Sequence, residues 1–374
     1  MKDYHKVTQI FDKLCQKYMK NKRFKHFIVH AETMNQSFRY RHVSGIMSSS
    51  GKPMTEEIPF NIASVTKLYI ASIIMMLEEE GALSIDDKIS KFLPNEMIHH
   101  LHIGYEDQLT IYHLLSHSSG LLDYLEIKNK EGKTLFDIMV DHGDFSWSRS
   151  DFYQVVKNHQ KSFFPPQSRH QTKIKIRYSD TNYQLLMDII EQITHQPIEH
   201  VFEERIYKPL KLKKTFHEGT HQSSLYKDKA SLWALDKEMI IPQALKSFKD
   251  IYSTSDEMII FKRALLQGSL FKSKETTQKM ISNWNTFGFQ LIPTSPGWPI
   301  QYGLGFMRLK YPKFLPPFKD IPEFYGHTGV TGSWLFYCPS YDLIVAGNVG
   351  QLAASALPFR FMSELMAQLT KVNS

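Results

Sequence analysis

Near the start of the chain, Val7, Ile10, Phe11, Leu14 and Tyr18 recur at helical spacing, with lysines on the positions between them. A stripe of that period predicts an amphipathic helix whose charged face stays in water. The pattern then changes. FKHFIVHAET (24–33) and QSFRYRHVSGIM (36–47) are rich in β-branched and aromatic residues and lie close enough together to pair as a hairpin. From Ser64 to about Glu203 helical periodicity dominates, broken by loops such as SFFPPQSRHQ (162–171), whose adjacent prolines exclude regular helix. Strand signals return at YGLGFMRLK (302–310), GSWLFYCPS (332–340) and DLIVAGNVG (342–350), and a last amphipathic stretch runs from about Ala354 to Val372. Residues 215–300 read as loops and short helices. The expected class is α+β: one antiparallel β-sheet flanked by N- and C-terminal helices, with a mostly helical subdomain inserted. Residues 1–80 with about 205–374 would form the sheet subdomain and about 81–204 the helical one, together a single domain spanning 1–374.

At 374 residues and 42% hydrophobic, the chain can bury a large core. Its longest apolar stretch, Leu68 to Leu77, is interrupted by Ser72 and is too short to span a bilayer. The formal charge of +7 and the cluster Lys13, Lys17, Lys20, Lys22, Arg23 and Lys25 could suit phosphates. Most of these side chains belong to the solvated face of the first helix, so no nucleic-acid partner is expected. Cys15 and Cys338 lack C-x-x-C spacing and read as buried thiols. MKDYHKVTQIFDKLCQ has no apolar secretory core, and the expectation from it is a cytoplasmic protein.

Candidate chemistry begins at FNIASVTKLYIASIIMMLEEEGALS (60–84), where Ser64 and Lys67 stand three apart at the start of a helix. Positions i and i+3 share a face, so the ammonium can reach the hydroxyl. The same spacing recurs at Ser49/Lys52, Ser224/Lys227 and Ser269/Lys272, so alone it reads better as an N-cap and a surface lysine. RYSDTNYQLLMDIIEQIT (177–194) puts a Tyr-Ser-Asp turn ahead of a helix, which Ser179 or Asp180 could simply cap. FYGHTGVTGSWLFY (324–337) puts His-Thr-Gly before an edge-like strand, with glycines that allow close backbone approach or a plain hairpin turn. His113 and His117 have the spacing of a zinc pair, but a metalloprotease would need a glutamate where Leu114 stands. No metal or cofactor is expected.

Taken together, Ser64-x-x-Lys67, Tyr178-x-Asp180 and His327-x-Gly329 resemble the three motifs of the penicillin-recognising serine enzymes: class C type β-lactamases, D-Ala-D-Ala carboxypeptidases, D-amino-acid peptidases and related esterases. LEEEGALSIDDKISKFLP (77–94), LTIYHLLSHSSGLLDY (109–124), IYKPLKLKKTF (206–216), STSDEMIIF (253–261) and YGLGF (302–306) look family-like as well. The resemblance implies a β-lactamase/transpeptidase-like fold and a serine hydrolase working through a covalent acyl-serine. Its substrates would be small-molecule or peptide esters or amides, penicillins among the candidates. It further implies Ser64 as nucleophile, Lys67 as its base and Tyr178 as a second proton-transfer group. Backbone N–H groups of Ser64 and Val330 would form the oxyanion hole, with His327, Thr328 and Gly329 on the substrate. Asp180 departs from the asparagine of many members. Asparagine accepts and donates hydrogen bonds, whereas a carboxylate only accepts. Asp180 would therefore hold Lys67 charged, repel the acylamino group of a penicillin and pair with a substrate ammonium, unless Asn182 took its place. That shifts the expectation from β-lactamase towards esterase or D-amino-acid amidase. A non-catalytic binding or scaffold protein on the same fold is the alternative, and the joint presence of Ser64, Lys67 and Tyr178 argues against it.

Overall fold

The computed structural model describes residues 3–101, 104–157, 162–289, 296–312, 320–352 and 354–373. Strand His26–Thr33 pairs antiparallel with Arg39–Gly45, the hairpin that the two neighbouring β-rich runs predict. On its other side it pairs with Leu343–Asn348, and the sheet continues through Trp334–Cys338, Phe324–Thr328, Met307–Leu309, Ile300–Tyr302 and Asn285–Thr286. All of these neighbours are antiparallel, which makes one eight-stranded sheet from the two ends of the chain.

Because side chains alternate along a strand, the buried strand His26–Thr33 feeds two cores. Phe27, Val29 and Ala31 pack with Val7, Phe11 and Leu14 of the helix Tyr4–Met19 and with Phe361, Met362 and Leu365 of the helix Leu357–Asn373. Ile28 points the other way, into a core continuous from Ile344 and Ala346 of the sheet to Leu186 and Phe202 of the helices. His30 and Glu32 share that second face and are paired: His30 lies 3.1 Å from Asp256, and Glu32 meets Arg39 and Arg263. The helix Thr66–Glu79 runs through this core with every residue from Thr66 to Leu77 buried. No helix among the described residues is long and apolar enough to cross a membrane.

Two expectations are corrected. Residues 215–300 hold the short strands Phe216–His217, Leu232–Ala234, Lys237–Met239 and Ile251–Ser253, and a 13-residue helix, Ser255–Gln267. Strands of two or three residues are too short to show a period, and Lys262, 0% exposed, interrupts the apolar stripe of that helix at a core position. The segment carrying His327 and Thr328 is itself a strand, Phe324–Thr328, and the strand after it, Trp334–Cys338, is paired on both sides, so it is not an edge.

Candidate active site

Ser64 sits in the single turn Ala63–Val65 that leads into the helix Thr66–Glu79. Ala63 adopts φ +44°, a left-handed conformation that costs an L-residue energy. The Asn61 side chain accepts a hydrogen bond from its N–H at 3.0 Å. The turn after strand Phe324–Thr328 is bonded to this segment: Ser333 Oγ donates to the Ile62 carbonyl at 2.7 Å and Thr331 Oγ1 to that of Asn61 at 3.2 Å. A Cβ on Gly329 would lie 2.7 Å from the Ile62 oxygen and 2.8 Å from Ala63 Cβ. The glycine is thus required for contact between the two segments as well as for any approach of a ligand.

Lys67, 4% exposed, donates to Ser64 Oγ at 2.9 Å and also to Asp180 Oδ1. Asp180 is the first residue of the helix Asp180–Thr194. Burial opposes charge on Lys67, but Asp180, then Tyr178 and Asp250, outweigh it and hold the ammonium above the ordinary lysine range. Tyr178 lies with its ring centroid 5.1 Å from Lys67 Nζ. Burial raises its pKa more than the neighbouring Lys67 lowers it, so it is a neutral phenol at pH 7.

The orientation of Tyr178 depends on His117, whose ring centroid is 4.5 Å away. His117 Nδ1 accepts from the Ser179 N–H at 3.2 Å and from Asn182 Nδ2 at 3.0 Å, which places the ring proton on Nε2. Burial, and after it Lys67, push the His117 pKa far down and keep the ring neutral. Asn182 Oδ1 meanwhile accepts from Ser119 Oγ at 2.6 Å. Fully engaged and buried, Asn182 does not take the place of Asp180 against Lys67.

His327 differs from the expectation of a substrate-binding residue. It is 0% exposed, its Nδ1 donates to the Thr328 carbonyl at 2.7 Å, and its Nε2 lies in hydrogen-bond contact with the Tyr302 hydroxyl at 3.1 Å. Burial, followed by the charge of Lys67, drives its pKa well below the usual histidine value. A neutral ring with both nitrogens engaged inside the sheet cannot offer positive charge to a carboxylate. It holds the backbone of the motif strand instead.

Ser64, Tyr178, Asp180, Thr328, Gly329 and Val330 all line one cavity of about 930 Å³, at the upper end of the size range of small-molecule sites. Among the described residues, four further carboxyls line it that the sequence did not single out, Asp123, Glu126, Asp137 and Asp250, of which Asp123 and Asp250 are strongly perturbed by burial. Asp123 Oδ1 accepts from the Leu125 N–H at 3.0 Å, and burial together with the charge of Asp180 raises its pKa far above the usual carboxylate range. Asp250 immediately precedes strand Ile251–Ser253, which pairs with Phe60–Asn61 and so delivers it beside the nucleophile segment. Burial pushes its pKa up to about 7, against the pull of Lys67. Asp123 is next to last in a phrase that looks family-like and Asp250 stands just ahead of another, yet nothing local to a carboxylate announces that distant residues will bury it. Among the described residues no cluster of His, Cys, Asp and Glu could hold a metal ion. His113 and His117 serve separately, His113 Nε2 bonding the Gln167 carbonyl at 2.9 Å.

A buried lysine bonded to a serine at a helix start, with a phenol beside them on an antiparallel sheet flanked by helices, defines a serine hydrolase, the class of enzyme that cleaves ester and amide bonds. The family model for beta-lactamase matches residues 12–352, and the chain belongs to the beta-lactamase family. It is 26% identical over 327 residues to a putative D-alanyl-D-alanine carboxypeptidase of Salmonella gallinarum, covering 79% of this chain and 70% of that one. Its fold is similar to that of a D-amino acid amidase from Ochrobactrum anthropi SV3, with TM-score 0.75, 19% identity and coverage of 99% and 100% of the two chains. A D-stereospecific amidohydrolase from Streptomyces sp. superposes with TM-score 0.73 at 22% identity, covering 96% and 98%.

Proposed function

We propose that Ser64 attacks the carbonyl of an ester or amide whose acyl part carries an ammonium, with Lys67 and Tyr178 moving the protons. The observation that carries this reading is the contact of Lys67 with both Ser64 and Asp180, in a cavity that also holds Asp123 and Asp250. Lys67 must be neutral to take the Ser64 proton, and Asp180, with Asp250 behind it, resists that. An ammonium arriving among them satisfies their charge and, as a like charge, lowers the Lys67 pKa. The Ser64 Oγ–carbonyl carbon bond then forms as its proton passes to Lys67, and the oxyanion is met by the backbone N–H groups of Ser64 and Val330. Tyr178 hands a proton to the leaving amine or alcohol as the C–N or C–O bond breaks and takes its replacement from the Lys67 ammonium beside it, which restores both groups. Water then repeats the sequence on the acyl-serine and releases the acid. A carboxypeptidase must seat a free carboxylate, which a lining of five acidic side chains against the single lysine Lys128 among the described residues, and a neutral His327, disfavour. The amidases of similar fold are the better guide to substrate.

The test is peptide mapping of a fluorophosphonate adduct, with hydrolysis of D-alanine p-nitroanilide compared with its N-acetylated form. We expect the adduct on Ser64, a loss of about 10³-fold or more in Ser64→Ala, and a preference of about tenfold or more for the free amine, equivalent to 1.4 kcal/mol. An adduct on another serine, or a preference for the acetylated substrate, would overturn the reading.

A further inference from the structure

The cavity that holds the carboxylates also has a large apolar surface, beside polar residues that include Glu126, Lys128, Asp137 and Gln184. Met139, Leu232, Ile241, Leu245 and Phe248 line it, and these five also belong to a small hydrophobic core distinct from the two that hold the sheet. They come from the helices Leu135–His142 and Pro242–Phe248, the strand Leu232–Ala234 and the residue preceding the second helix. This third core therefore closes against the chamber instead of being sealed by protein.

Leu235 supplies an independent observation. It forms the turn between strands Leu232–Ala234 and Lys237–Met239, lines the cavity, and is 60% exposed at φ +56°. A leucine in the left-handed region is strained, and one so exposed gains little from packing in return. The turn is nonetheless held firmly in place. Asp236 pairs with Lys25 at 2.7 Å, and Lys237 Nζ bonds the Val140 carbonyl. Trp233 exchanges backbone bonds of 2.8 Å with Gly350 and Leu352. An apolar side chain fixed at the rim of an apolar chamber, at a conformational cost, is accounted for by a contact that forms when the chamber is filled.

We infer that this chamber is a specificity subsite for a bulky apolar group of the substrate, an alkyl chain or an aromatic ring, with Leu235 closing over it. The inference rests on the reading that bond cleavage occurs at Ser64, which lines the same cavity as these apolar side chains. Small acyl groups such as acetyl would leave it unfilled.

Two measurements separate this inference from the reading beneath it. The first is kcat/KM for p-nitrophenyl esters from acetyl to octanoyl, expected to rise about fourfold per methylene, the equivalent of 0.8 kcal/mol, until the chamber is full. The second is calorimetric binding of uncharged n-alkanols from butanol to octanol, which needs no catalysis, to the wild type and to Ser64→Ala. The same steepness is expected in both proteins. In Leu235→Gly, which relieves the backbone strain and so should fold, the octanoyl-to-acetyl ratio of kcat/KM should fall by about fourfold or more, the loss of at least one methylene's worth of contact. An alkanol series that does not tighten with chain length overturns the subsite, whatever the esters do. An unchanged ratio in Leu235→Gly overturns the role of Leu235. A steep alkanol series with the fluorophosphonate adduct elsewhere than Ser64 overturns the nucleophile and upholds the chamber.

Discussion

Replacing Asp180 by asparagine removes the charge that holds the Lys67 ammonium while keeping an oxygen to accept its hydrogen bond. Two unit charges about 4 Å apart near a protein surface interact by about 4 kcal/mol, and a hydrogen-bonded pair is at least that close. At 1.36 kcal/mol per unit, losing the carboxylate should lower the Lys67 pKa by about three units. Asp250 remains and opposes part of that fall, and a weaker base takes a proton less readily. The neutral fraction should still grow by more than its basicity declines, so acylation by a fluorescent penicillin, followed by stopped flow and intact mass, should accelerate by about tenfold or more. The sign in pH is definite. Lys67 is held above its ordinary value in the wild type, so a lowered pKa brings the neutral amine, and any rate limb it carries, to lower pH. The rising limb of p-nitrophenyl acetate hydrolysis between pH 6 and 10 should move down accordingly, while turnover of ammonium-bearing substrates falls. A folded Asp180→Asn protein with an unmoved limb and acylation within about twofold of wild type would refute the claim that this carboxylate sets the protonation of Lys67.

Gly329→Ala should displace the motif turn, because its Cβ would meet the Ile62 oxygen and Ala63 at distances that neither backbone can relax cheaply. A loss of about tenfold or more in kcat with a lowered Tm is expected, and a fully active, equally stable variant would mean that the two segments are not in register as described. Lys262 Nζ lies 4.2 Å from the centroid of the Phe306 ring with no hydrogen-bond partner among the described residues, and burial drives its pKa far below the usual lysine value. Below the unfolded pKa of lysine the folded state therefore binds fewer protons than the unfolded chain, and stability rises with pH. Lys262→Met should be more stable than wild type by about 2 kcal/mol or more at pH 7, with the gap closing towards pH 10 in guanidinium denaturation. A destabilised variant at pH 7 would show that the amine contributes a favourable interaction.

The sequence by itself determined the parts whose information is local and periodic. The Val7-to-Tyr18 stripe, the hairpin between residues 24 and 47 and the strands near 334–338 and 343–348 follow from side-chain period, which the backbone geometry converts directly into a buried face. Ser64 and Lys67 were legible for the same reason, one helical turn fixing their proximity whatever surrounds them. Tyr178 and Asp180 could be named as motif residues, but the strand-free stretch between Lys67 and Asp180 says nothing about their distance. Only tertiary packing decided the remainder. It closed Lys67 onto Asp180 across 113 positions, turned His327 into the sheet as a neutral structural ring and tied Asn182 to His117 and Ser119. It also gathered Asp123 and Asp250 around the nucleophile and left an apolar chamber beside them. Those outcomes depend on burial and on charges contributed by segments far apart in the chain. A residue's electrostatic environment is a sum over everything that packs against it, and no window of sequence contains that sum.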